Sequence, residues 1–145
     1  MIPYTKIKGS AYGRGYFIKG DAKRNTLTEF NSNTTKLLNV EEDDPAFDTD
    51  IGMLINNEFM TLQQLGIGPK EGFSIHEADV TWEDFSTDKT LIETVKAFIY
   101  LKVRMIFDPP ASSVVADAYN SRIRELEWRL NIQAERTDEG EADAT

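Results

Sequence analysis

From residue 45 onward, apolar residues recur at three- and four-residue spacing along most of this chain. That period is the mark of helices with one packed face. Phe47, Ile51, Leu54, Ile55, Phe59, Leu62 and Leu65 form the first stripe, about one helix face wide. Asp44 before Pro45 makes a good start, because proline suits the first helical position and acids favour the positive end of the helix dipole. Gly66 stops the run, so the pattern predicts a helix over 45–65. Ile67 to Ile75 reads as a loop broken by Gly68-Pro69 and Gly72, with room for a short extended piece at Phe73 to Ile75. Thr81-Trp82-Glu83-Asp84 reads as a capped single turn of helix.

A third helix is expected from near Asp88 to Phe107. Leu91, Ile92, Val95, Phe98, Ile99, Leu101, Val103, Met105 and Ile106 cover more than one of its sides, which makes it the central helix. Asp108-Pro109-Pro110 ends it, since each proline lacks an N–H and disfavours helix in the residue before it. Ser112 or Ser113 then caps a last helix running to about Ala134. Val115, Tyr119, Ile123, Leu126 and Leu130 share one face of it. Val114, Trp128 and Ile132 project about 200° away, at about 100° per residue. Two stripes on one helix imply that one packs inside the subunit and the other meets a partner. The cheaper alternative is that a loop or the N-terminal arm covers Trp128.

Residues 1–33 break the pattern. They are rich in Gly, Tyr, Lys, Asn, Thr and Ser, and Gly9, Gly13, Gly15 and Gly20 interrupt any regular element. Tyr4 to Ile7 and Tyr16 to Ile18 offer a β-hairpin at most, so this segment is expected to be an extended arm ordered by contact with something else. The expected organisation is therefore mainly α. An arm at 1–33 precedes a small bundle of three long helices and one short turn helix at 34–134, and an acidic tail follows at 135–145.

Charge sharpens this division. The chain of 145 residues carries a net −9. Its arm holds six bases, Lys6, Lys8, Arg14, Lys19, Lys23 and Arg24, against Asp21 and Glu29, while Arg136 is the one base among five acids in the tail. An acidic body argues against gripping duplex DNA over a wide surface, because phosphate binding needs clustered cations. The basic arm could meet nucleic acid by charge and stacking. A segment without periodic structure fits an acidic protein surface better, including the body of a neighbouring copy. One domain with tails suits the length, and no apolar run approaches the roughly 20 residues that span a bilayer. No signal peptide is expected. The absence of cysteine removes disulfide and thiolate chemistry and is compatible with a reducing cytoplasm.

No catalytic, metal or cofactor signature stands in the sequence. Glu41-Glu42-Asp43-Asp44 with Asp48 and Asp50 lacks the glycine and the spacing of a calcium loop, and reads as a solvated helix start. His76 beside Glu77 and Asp79 has no nucleophile to serve and reads as a surface histidine. Neither Gly13-Arg14-Gly15 nor Gly66-x-Gly68 leads into a Gly-Lys-Ser/Thr, so neither is a phosphate loop. The chemistry-poor sequence leaves interaction residues as the candidates. Trp82 and Phe85 are either a lid over the core or an exposed aromatic anchor. Asp108, Pro109 and Pro110 form a hinge. Arg122, Arg124, Glu125, Glu127 and Arg129 make a charged band around the last helix, most simply a solvated face, but able to set register between subunits. Trp128 and Ile132 complete the second stripe.

Several of these segments also resemble a family. Phe107-Asp108-Pro109-Pro110-Ala111-Ser112-Ser113 with Glu125-Leu126-Glu127-Trp128-Arg129-Leu130-Asn131 is similar to the C-terminal half of head–tail connector (adaptor) proteins of tailed phages. Phe59 to Pro69, Thr81 to Phe85 and Ile99 to Arg104 resemble the same family, so that the likeness spans residues 45–134. The resemblance implies a structural protein of the virion neck, made in the host cytoplasm. It implies a ring of about twelve copies closed by heterologous contacts, docked on the portal protein with a tail or stopper protein beneath. DNA would pass through the lumen without sequence-specific binding, and the region after Asn131 would dock in the portal. The arm at 1–33 has no counterpart in the pattern. Two other readings stay open. One is a different phage morphogenesis role, such as a stopper, a tail-completion protein or a DNA-packaging factor. The other is a helical protein-binding regulatory module.

Overall fold

A computed structural model describes Phe30, Thr34, residues 45–75 and residues 80–143. The molecule is mainly α: α1 spans Pro45–Gln64, α2 Trp82–Phe85, α3 Lys89–Phe107 and α4 Ser113–Asp143. The expected β-hairpin, the acid cluster at 41–44 and His76 lie outside the described residues. The piece at Phe73 to Ile75 is loop rather than strand.

The periodic residues of α1 do what their spacing implies. Ile51, Ile55, Phe59 and Leu62 are buried, and Leu54 and Leu65 are half-buried. The helix closes on a Schellman turn. Ile67 N–H donates to the Leu62 carbonyl at 2.9 Å and Gly66 N–H to that of Gln63 at 3.0 Å, with Gly66 at φ 84°. Leu62 and Ile67, which bracket that turn, are both in the core. The following loop is tied back to α1 by side-chain amides. Asn56 Oδ1 accepts from Ile75 N at 2.6 Å, and Gln63 Nε2 donates to the Lys70 carbonyl at 3.0 Å.

α2 is the short capped turn foreseen from Thr81. The Asp84 carboxylate accepts from both the Thr81 N–H and its hydroxyl, each at 2.8 Å. α3 begins at an Asp88 cap whose carboxylate accepts from Thr90 N at 2.9 Å and Leu91 N at 3.2 Å. Its buried residues, Ile92, Val95, Phe98, Ile99 and Val103, serve two neighbours, because α3 packs against both α1 and α4. The hinge after it is pinned by Arg104. That side chain lies 5.9 Å from the Tyr119 ring, bonds the Tyr100 hydroxyl at 3.3 Å and sits 3.8 Å from Asp108.

α4 departs from expectation at both ends. Ile123, Leu126, Leu130 and Ala134 are buried as one stripe, but Val115, expected to share it, is 40% exposed. The hinge tip is the open end of the α3–α4 pair, where Ile106 and Val114 are exposed too. The C-terminal stop near Ala134 is also corrected, since the helix continues to Asp143. Residues 135–143 have no apolar stripe, but they hold Glu, Arg and Ala and no proline. Good helix formers extend a helix already nucleated by a packed segment.

Candidate interaction surface

Two of the aromatic candidates belong to the core. Trp82 and Phe85 are 1% and 5% exposed. Phe59 stands 5.3 Å from Phe85 and 5.0 Å from Phe73, and Phe30 meets Trp82 edge-on at 5.4 Å. The short α2 therefore works as a lid, and the exposed-anchor alternative for Trp82 and Phe85 is overturned. Burying two large rings against an aromatic cluster is worth more than presenting them to water.

Trp128 lies elsewhere. It is 63% exposed, although Leu126 and Leu130 on the same helix are 2% and 1% exposed. Val114, on the same outward side, is 76% exposed, and Ile132 is half-buried. No loop among the described residues covers the indole. Around it runs the charged band. Glu125 accepts from Arg122 at 2.8 Å and from Arg129 at 2.6 Å, and these two guanidiniums hold its carboxyl below the usual carboxylate range. Arg124 donates to Ser121 Oγ at 3.1 Å. Glu127 is exposed. At the hinge, Asp108 and Pro109 are exposed and Pro110 half-buried. The six bases of the arm, Lys6, Lys8, Arg14, Lys19, Lys23 and Arg24, fall outside the described residues.

Sequence reasoning missed two features. Met53 and Met60 are 66% and 59% exposed on the outward side of α1. Their seven-residue spacing, out of phase with the Ile51–Leu62 stripe, already carried that signal. The second is Glu58, which falls in the phase of the stripe itself and is 2% exposed. Burial pushes its carboxyl above the ordinary value, with the Lys102 ammonium 3.6 Å away pulling it down and Glu127 pushing it up.

Among the described residues no cluster of His, Cys, Asp or Glu could hold a metal ion, and no helix is long and apolar enough to cross a membrane. The class defined by this surface is a helical interaction protein with one face closed on its core and aromatic and apolar residues turned outward.

The chain matches the family model of phage connector proteins over residues 32–137 and belongs to that family. No curated protein and no solved structure matches it. The family is structural rather than enzymatic, which makes the chain a structural component of the virion that interacts with other head and tail proteins.

Proposed function

We propose that this chain forms a ring at the phage neck, joining the portal of the DNA-filled capsid to the tail or to a stopper protein. Copies would meet through heterologous contacts that close on themselves, with about twelve subunits. The observation that carries this reading is Trp128. A tryptophan 63% exposed, on the side of α4 away from its buried Ile123, Leu126 and Leu130, suits a subunit contact. Arg122, Glu127, Arg129 and Ile132 lie on the same helix within six residues of it and would set the register between neighbours.

Two further features support the reading. The net charge of −9 suits a lumen that DNA traverses without sticking, because like charge repels phosphates. The last turns of α4 are exposed from Glu135 to Asp143. The region after Asn131, which includes them, is the proposed dock on the portal. The basic arm would meet an acidic surface on a neighbouring subunit.

Electron microscopy of particles made without this chain tests the proposal. DNA-filled heads and free tails should accumulate unjoined. Normally tailed, infectious particles would overturn it, and empty heads would favour a DNA-packaging role instead.

A further inference from the structure

Among the described residues, α1 and α4 each leave apolar side chains exposed once the core is closed. On α1, Met53 and Met60 point away from Ile51, Ile55, Phe59 and Leu62. Seven residues separate them, about 10 Å along the axis at about 1.5 Å per residue. On α4, Trp128 and Val114 point away from Leu126 and Leu130. α3 packs against both α1 and α4, and each of these faces is turned away from the buried residues of its own helix.

The charges beside these faces are complementary. α1 has no basic residue, and exposed Asp50 stands one turn before Met53. Arg124 stands one turn before Trp128. Among the described residues it has no carboxylate partner and bonds only Ser121, whereas Arg122 and Arg129 are both held by Glu125.

We infer that the methionine face of α1 in one copy receives the Trp128 face of α4 from the next copy. The indole sits over uncharged Asn57, between Met53 and Met60, and Arg124 reaches toward Asp50 of the neighbour. Flexible thioethers shape themselves to a rigid ring and make favourable sulfur–aromatic contacts. Pairing two unlike faces gives every copy one of each, so a closed ring leaves neither exposed. Pairing α4 with itself would leave the methionine face in water. The inference rests on the self-assembly proposed above and adds which surfaces meet.

The chain has no cysteine, so introduced cysteines report the contact directly. Asn57 and Asn131 are both exposed, and Asn131 lies one turn after Trp128. Under mild oxidation, a mixture of Asn57→Cys and Asn131→Cys proteins should give a disulfide-linked dimer that neither variant gives alone. Adding Trp128→Ala to the Asn131→Cys partner should abolish that dimer with the far-ultraviolet circular dichroism unchanged. Self-cross-linking of Asn131→Cys alone would overturn the pairing in favour of α4 against α4. Oligomers seen by light scattering without any 57–131 disulfide would also overturn it. In both cases self-assembly itself would stand. A chain that is monomeric at every concentration and never cross-links would overturn both.

Discussion

Glu58 shows how one residue can work against the stability of its own fold. It occupies a core phase of α1, 2% exposed, with Lys102 as its ion-pair partner at 3.6 Å. Its carboxyl is pushed up by burial, so the folded chain binds that proton more tightly than the unfolded chain. Stability linked to this group therefore falls as pH rises through the raised value, and the ionised side chain is a net cost at neutral pH. Glu58→Gln should match or exceed the native chain in urea midpoint at pH 7, with the gap closing as pH falls into the acid range. A much less stable Gln variant at pH 7 would show that the Lys102 pair outweighs the desolvation. The two tryptophans give a second contrast. Trp82→Ala should cost about 3–5 kcal/mol, as a truncation inside an aromatic cluster. Trp128→Ala should stay within about 0.5 kcal/mol, as a surface change. Chemical denaturation of the two variants measures the difference.

At the scale of elements, the starts and stops carried most of the fold. Asp88, Asp108-Pro109-Pro110 and Gly66 bound helices where their chemistry requires, and those signals are local. The glycine turn after α1 is the sharpest case. Gly68 has φ 91°, and a Cβ there would stand 2.5 Å from the Phe85 ring. Gly68→Ala should lower stability by about 1–3 kcal/mol through strain and displacement of that ring. Gly52, in α1 with nothing within 4 Å of an added Cβ, should instead gain about 0.5–1 kcal/mol on becoming Ala. Thermal melts of the two variants should move in opposite directions. The extension of α4 was not legible, because apolar period signals burial and residues 135–143 bury little. Lys70 to Glu141 at 3.3 Å, which ties them to the body, joins side chains 86% and 61% exposed. Such a pair adds at most about 1 kcal/mol. Ending the chain after Arg136 should leave the unfolding midpoint nearly unchanged, and a large fall would show a docked terminus.

For the whole molecule, the sequence showed that α4 carries two stripes but not which side the core takes. Trp82 and Trp128 each stood among apolar residues beside charged ones, and only three-dimensional packing put one inside and the other outside. Which faces meet in an assembly depends on a partner's surface, and one chain's periodicity does not contain that. The account rests on Trp128 being a contact between subunits of a neck connector. Single-particle electron microscopy of the neck in assembled virions tests this most directly. A closed ring between portal and tail, with Trp128 buried against an adjacent copy, is the predicted result. A ring in which Trp128 faces open solvent, or a neck without this chain, would contradict it.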